Sequence, residues 1–228
     1  MSLTEIKQPT FVDKYKPTRV EDLILPSNHA VGAAVKFLQK PYPSGWLLYG
    51  GSGLGKTTMA EMMAIAAAEH PYSVQTFAGQ ELDVNQVKQL KFTCSTIPLF
   101  GRMHAIVVNE ADAIPVGGRL ALLALLEIYR HSCWIFTSNK SVKDFDSPFR
   151  SRLRPQLFKG QGICTPASKL LVRIARNEGL DLAITEAEAI MKEVKNNIRG
   201  ALNALEIMCT ERRSDVGLKS VDFSQQAA

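Results

Sequence analysis

The sequence feature that most constrains the fold is a glycine-rich loop between an apolar run and an alanine-rich segment. Residues 46–49 are WLLY, residues 50–57 are GGSGLGKT, and residues 57–69 are rich in Ala and Met. These flanks predict a buried strand before the loop and a helix after it. The spacing G-x-x-x-x-G-K-T at such a junction lets backbone N–H groups surround phosphate oxygens at a helix N-terminus. The loop therefore predicts a nucleoside-triphosphate site, and the alternative is a chance glycine-rich turn.

The residue types within the loop have separate expected roles. Lys56 is expected to reach the β- and γ-phosphates, and the Thr57 hydroxyl to ligate Mg²⁺. The other expected nucleotide contacts come from the loop and the first helical turn: Ser52, Gly53, Leu54, Gly55 and Thr58.

Strand-like and helix-like segments alternate up to residue 158, which predicts an α/β fold with a parallel sheet flanked by helices. Beyond the loop, strands are expected at 74–77, 105–108 and 133–137, and helices at 83–94 and 119–129. Helices at 166–177, 185–195 and 197–212 follow a linker, and Thr185 with Glu188 has the spacing of a capping box. We expect a P-loop domain at 1–160, a helical lid at 161–215 and a flexible tail at 216–228.

Composition excludes several classes of protein. The chain has 228 residues with 46% hydrophobic residues, 11 Pro and 15 Gly, unlike collagen-like, mucin-like or disordered chains. No run approaches the roughly 18 apolar residues of a membrane span, and no segment resembles a signal peptide. The four cysteines lack metal-ligand spacing, so free, buried thiols are expected. These patterns predict a cytoplasmic protein.

The positive charge is concentrated in the middle of the chain. The net charge is +5, and residues 101–160 carry nine basic and five acidic side chains. Such a cluster is either a solvated surface or a surface that faces phosphates of nucleotide or nucleic acid.

An acidic turn follows the predicted strand at 105–108, where a P-loop enzyme usually carries Asp and then Glu. Here the pair is Asn109 and Glu110. Glu110 is expected to orient and deprotonate the attacking water. Asn109 can accept a hydrogen bond from a metal-bound water but lacks the negative charge, which predicts weaker Mg²⁺ binding and slower hydrolysis. A natural low-activity variant, an engineered trap and a tolerated change all fit the pattern, and the intact Glu110 favours a natural enzyme that still hydrolyses.

Three further polar residues are candidates for the site. Asn139 follows the predicted strand at 133–137 and is either a turn residue or a contact to the γ-phosphate or the lytic water. Arg152 belongs to a basic stretch and is either solvated or an arginine finger for a neighbouring subunit. Arg199 opens the last predicted helix and can close the lid over nucleotide.

Together these motifs resemble an AAA+ ATPase, and within that group the small subunits of sliding-clamp loaders of bacteriophage and replication factor C type. Residues 13–26 resemble the K-Y-R-P box that wraps the adenine, and 109–112 (NEAD) resemble a Walker B motif with Asn in place of Asp. By the same resemblance Asn139 is sensor 1, Arg199 is sensor 2, and Arg152 is the trans-acting finger. The implied base contacts are Val12, Asp13, Lys14, Tyr15 and Ile24.

The resemblance implies an oligomer that binds ATP and Mg²⁺ at subunit interfaces and acts on primer-template DNA and possibly a sliding clamp. Implied DNA contacts are Lys88, Lys91 and Arg119, which equally fit solvated helix charges. The family continues into a collar domain, which we expect to be missing here. Two alternatives stay open: an ATP-binding assembly or adaptor subunit with little hydrolysis, and a helicase loader or DNA-remodelling motor of a phage or mobile element.

Overall fold

The computed structural model describes residues 9–25, 32–128 and 131–219, which fall into two compact units. Of the described residues, those within 17–160 form one unit, and residues 9–16 group with residues 161–219 in the other. The sequence-based division placed 1–16 with the P-loop domain instead. The difference arises because helix α1 (Phe11–Lys14) packs against the C-terminal helix α9 (Ile198–Lys219).

The unit of residues 17–160 is built on a parallel sheet, as predicted, and this sheet has five strands. The strands are β1 (Ser44–Gly50), β2 (Val74–Ala78), β3 (Ala105–Asn109), β4 (Cys133–Ser138) and β5 (Arg154–Phe158). Their order is β2-β3-β4-β1-β5, so β4 lies between β1 and β3. The loops after these three central strands therefore meet at one edge of the sheet, where open α/β sheets bind ligands.

The helices of this unit are α2 (Gly32–Gln39), α3 (Lys56–Ala68), α4 (Val84–Ser95), α5 (Val116–Ile128) and α6 (Ser147–Arg150). The Asp83 side chain caps α4 by accepting from the Gln86 N–H at 2.8 Å. The central strands are apolar on both faces, as sheets covered by helices require, and Leu47, Ile106 and Phe136 are fully buried. This packing fixes the strand ends that carry the polar residues.

The second unit contains α1, α7 (Cys164–Asn177), α8 (Ile184–Glu193) and α9. The predicted cap at Thr185 is wrong, because α8 begins one residue earlier and the Glu186 carboxylate accepts from the Ala183 N–H at 2.8 Å. Of the predicted tail, residues 216–219 belong to α9, and residues 220–228 lie outside the described part of the chain.

All four cysteines are free thiols, as predicted; Cys133 and Cys209 are buried and the other two are half-buried. Burial raises the pKa of Cys94 to about 11 and that of Cys133 to about 12. These two thiols therefore stay protonated at neutral pH and are poor nucleophiles. Within the described residues, no helix combines the length and apolar character needed to span a membrane.

Candidate nucleotide-binding site

The phosphate loop has the backbone conformation that its glycines allow. Gly53 and Gly55 have φ of 69° and 82°, in the left-handed region, and Gly55 lies immediately before α3. Gly50 has φ of 134°, and a Cβ built there would lie 2.1 Å from the Phe158 carbonyl oxygen. Any side chain at 50 would push β1 away from β5, so this glycine is required by packing as well as by conformation.

Lys56 lies at the centre of the loop and is only 7% exposed. Its Nζ donates to the Gly50 and Gly51 carbonyl oxygens at 2.9 and 2.6 Å, and to Asn139 Oδ1 at 2.8 Å. The loop lysine and the candidate sensor, 83 positions apart in sequence, are thus in direct contact. A buried ammonium group held by neutral acceptors is well placed to exchange them for phosphate oxygens.

The rest of the loop is accessible except for one side chain. Ser52 is exposed and Thr57 and Thr58 are half-buried, whereas Leu54 is buried and packs near Gly51. Leu54 can therefore offer a nucleotide only its backbone. Leu23, which precedes the predicted base contact Ile24, lies 3.4 Å from the position of a Cβ on Gly55, so this part of the predicted adenine box adjoins the loop.

Asn109 and Glu110 are joined through a residue that the sequence reasoning missed. The Thr137 hydroxyl, at the end of β4, donates to Asn109 Oδ1 at 3.1 Å and accepts from the Glu110 backbone N–H at 3.3 Å. Thr137 is only 3% exposed. A polar residue inside an otherwise apolar strand was the available signal, because buried hydroxyls require partners.

Glu110 has a left-handed backbone, with φ 55° and ψ 52°. This conformation disfavours residues with a Cβ and is concentrated at functional sites. Gly79, at the end of β2, permits it: a Cβ there would lie 2.1 Å from the Glu110 carbonyl oxygen. The Glu110 side chain is exposed, so water can reach the carboxylate that the sequence predicts to be a base.

A second pair of contacts ties the acidic turn to the candidate sensor loop. The Ser138 hydroxyl donates to Asp112 Oδ1 at 2.6 Å and accepts from the Lys140 backbone N–H at 3.0 Å. Asn139 lies between Ser138 and Lys140, so its position is fixed from both the loop lysine and the acidic turn.

Arg152 lies away from the phosphate loop of its own chain. Its backbone carbonyl adjoins Gly45, near the start of β1, five residues before the loop begins at Gly50. At the usual strand rise this separation is about 16 Å. The guanidinium group donates to the Pro148 carbonyl at 2.6 Å and to Glu127 Oε1 at 2.8 Å.

Two of the predicted adenine-box residues, Lys14 and Tyr15, are held by a carboxylate in the helical unit. The Lys14 ammonium and the Tyr15 hydroxyl both donate to Glu178 Oε1, at 2.5 and 2.6 Å, and the Glu178 side chain is 4% exposed. Burial, followed by the hydrogen bond to Glu178, raises the pKa of Tyr15. Val12 is half-buried and Asp13 is exposed beside the Thr10 hydroxyl, which donates to it. Glu178 was not predicted, since a lone Glu at a helix end carries no sequence signal.

The remaining candidates lie on helices. Arg199 is exposed in the first turn of α9. Lys88 and Lys91 are exposed on α4. Arg119 is partly covered: its Nη1 donates to Asp146 Oδ2 at 3.3 Å, and its Nη2 donates to the Ile114 carbonyl oxygen at 3.2 Å. Their roles stay predictions.

Sequence comparison identifies relatives that cover nearly the whole chain. It is 30% identical over 211 residues to the replication factor C small subunit of Methanoculleus marisnigri, and 28% identical over 206 residues to that of Methanocella arvoryzae. The matches cover 86% and 88% of this chain. The chain resembles replication factor C small subunits. The resemblance drawn from the motifs is confirmed, while the chain spans only 62% and 63% of the length of these two relatives.

Solved structures agree on the fold. The Holliday junction branch migration motor RuvB of Thermotoga maritima superposes with a TM-score of 0.69 at 16% identity, covering 90% of this chain and 71% of RuvB. The predicted P-loop AAA+ fold is confirmed. No protein-family model matches the chain.

Proposed function

We propose that this chain is an oligomeric AAA+ subunit that binds and hydrolyses ATP at subunit interfaces and acts on DNA in a clamp-loader-like role in replication. The observation that carries the proposal is the contact of Lys56 Nζ with Asn139 Oδ1 at 2.8 Å, inside a loop of phosphate-binding geometry. The sequence similarity to replication factor C small subunits supports the clamp-loader role.

The residues present fit ATP and Mg²⁺. The backbone N–H groups of residues 52–58 and the Lys56 ammonium supply donors for the phosphates, and Thr57 supplies a hydroxyl oxygen for Mg²⁺. Mg²⁺ at nucleotide sites is usually held by few protein ligands together with phosphate oxygens and water. When bound, the ion neutralises charge that develops on the phosphates. Asn109 adds a neutral amide to the same edge of the sheet.

Three side chains have separate roles in the proposed hydrolysis. Glu110, exposed and fixed by its turn, orients the attacking water and accepts its proton. Asn139, held by Lys56, contacts the γ-phosphate side of the site. Arg152 supplies a cation to the γ-phosphate of a neighbouring subunit, because its backbone lies near the opposite end of β1 from its own loop.

The proposed partners are further copies or relatives of this chain, primer-template DNA and a sliding clamp. Lys88 and Lys91 present exposed charge from one helix to a DNA backbone, and Arg119 is a weaker candidate because Asp146 already pairs with it. An exposed apolar segment between α4 and β3 supports a protein partner. Ile97 and Leu99 are 92% and 87% exposed there, beside Phe100 at 47%.

The test is steady-state ATP hydrolysis by the full chain with and without primed DNA, together with co-purification of a sliding clamp. We expect hydrolysis that primed DNA stimulates and a clamp that is retained in the presence of ATP. Absence of ATP binding would refute the enzyme assignment, and indifference to DNA would refute the DNA partner. Stimulation by DNA without clamp retention would favour the helicase-loader or remodelling alternative.

Asn109 favours a second candidate function, an ATP-dependent assembly subunit with little hydrolysis. The neutral amide removes a charge that related sites place near Mg²⁺. If this candidate is correct, the chain retains ATP with a turnover no faster than that of a Lys56→Ala variant.

Replacing the Asn109 amide with a carboxylate tests how much the missing charge weakens Mg²⁺ binding. We expect Asn109→Asp to lower the half-saturating Mg²⁺ concentration for hydrolysis about tenfold and to raise turnover when Mg²⁺ is limiting. Mg²⁺ titrations of ATP hydrolysis measure this. Asn85→Asp, an exposed amide on α4, is the matched control and should change neither quantity. An unchanged Mg²⁺ dependence in Asn109→Asp would show that the missing charge has no role.

A further inference from the structure

Thr137 is a buried polar side chain at the centre of the ligand-binding edge of the sheet. It lies near the end of β4, paired in register with Leu48 of β1, and the preceding Phe136 pairs with Val108 of β3. With 3% of its surface exposed, its hydroxyl relies on protein partners. Those partners are the two residues of the Asn109–Glu110 pair.

A hydroxyl has one proton to donate and lone pairs to accept with. The Thr137 proton goes to Asn109 Oδ1, and its oxygen receives the Glu110 N–H. One group therefore sets both the orientation of the Asn109 amide and the position of the backbone that presents Glu110.

We propose that Thr137 is a positioning residue for ATP hydrolysis, which holds the Asn109 amide by its oxygen and fixes the turn that carries Glu110. The inference rests on the proposed ATPase function.

The contact has a specific consequence because position 109 is Asn. A carboxylate held by Thr137 through one oxygen keeps a second oxygen for a metal-bound water. An amide has a single oxygen with two lone pairs, and its other polar atom is an N–H₂ donor, which a cation does not bind. With the Thr137 proton on one lone pair, only the second is left for a metal-bound water. Thr137 therefore limits what Asn109 can contribute toward Mg²⁺ while it secures Glu110.

The kinetic test compares Thr137→Val, which keeps the shape and removes the hydroxyl, with Thr137→Ser, which keeps the hydroxyl. We expect Thr137→Val to lower kcat about tenfold, because the Glu110 N–H loses its acceptor, while KM for ATP falls by no more than about threefold. Thr137→Ser should recover most of kcat. The control is Ser132→Ala, which removes another buried hydroxyl, immediately before the start of β4. It should lower the unfolding temperature without changing kcat.

A binding measurement tests the orientation of the amide independently of turnover. The readout is the gain in ATP affinity, measured with a fluorescent ATP analogue, when Mg²⁺ replaces EDTA. In the natural chain, Thr137→Val should increase this gain about threefold, the worth of one hydrogen bond, since both lone pairs of the Asn109 oxygen become available. In the Asn109→Asp chain, whose carboxylate has two equivalent oxygens, Thr137→Val should leave the gain unchanged.

The outcomes separate this inference from the proposed function. If the natural chain binds no ATP, the proposed function fails and the inference fails with it. If the natural chain hydrolyses ATP and Thr137→Val has the same kcat, only the role of Thr137 is overturned. If Thr137→Val in the natural chain leaves the gain in ATP affinity from Mg²⁺ unchanged, the proposed effect of Thr137 on the Asn109 amide is overturned.

Discussion

Replacing Lys56 with alanine is expected to abolish ATP hydrolysis, with kcat at least about 100-fold lower, and to weaken ATP binding. The reason is that Lys56 is the buried cation of the loop, where three oxygen acceptors already surround its Nζ. A phosphate that enters this cluster gains a charge-assisted hydrogen bond in a partly dehydrated setting. Fluorescent-nucleotide binding and phosphate release measure the two effects.

The matched control is Lys36→Ala, which removes an exposed lysine from α2 in the same compact unit. It should bind and hydrolyse ATP as the natural chain does. Thermal unfolding of both variants separates a lost ligand contact from a misfolded loop. A Lys56→Ala variant that folds and hydrolyses ATP normally would remove the basis of the proposed function.

Replacing Arg152 with alanine is expected to lower hydrolysis by the assembled protein about 1,000-fold while ATP binding by the single chain is unchanged. The Arg152 backbone adjoins Gly45, near the opposite end of β1 from its own loop, and the guanidinium bonds to Glu127 and Pro148. We therefore propose that it serves a phosphate across an interface. Arg150→Ala, an exposed neighbour in sequence, is the control and should retain activity.

Mixing two inactive variants tests the action in trans directly. A Lys56→Ala subunit lacks a working loop but keeps Arg152, and an Arg152→Ala subunit has the reverse defect. When the variants are mixed, some interfaces combine the intact loop of an Arg152→Ala subunit with the intact Arg152 of a Lys56→Ala subunit. These interfaces should restore part of the hydrolysis. No recovery in mixed assemblies, with assembly verified by light scattering, would contradict a finger that acts between subunits.

Much of the fold follows from local patterns in the sequence. All four expected strands are present. Three were expected from apolar runs, because central parallel strands are apolar on both faces and leave a clear signal. The fourth, the edge strand β2, was expected from the alternation of apolar and polar residues. The edge strand β5 was not predicted, since it contains Pro155 and four of its five residues are incompletely buried. Proline is tolerated there because an edge strand lacks one row of ladder hydrogen bonds. Helix α1 was missed for a different reason, as four residues are too few to show periodicity.

The candidate site was predicted residue by residue but not as a set of contacts. The loop motif identified Lys56, and order along the chain identified Asn139, but only the strand order brings the two together. Thr137 and Glu178 were missed because single polar residues in an apolar strand or at a helix end match no motif. What makes them important is burial beside a charged or polar partner, which depends on the folded structure.

The left-handed backbone at Glu110 has a consequence for how such a chain tolerates change. A glycine at 110 would relieve the conformational cost and suit the close approach of Gly79 equally well. Selection for thermal stability alone would therefore favour loss of the carboxylate. We therefore expect a thermostable variant obtained without an ATPase screen to keep its fold and its phosphate loop but to lack the carboxylate that we propose as the hydrolytic base.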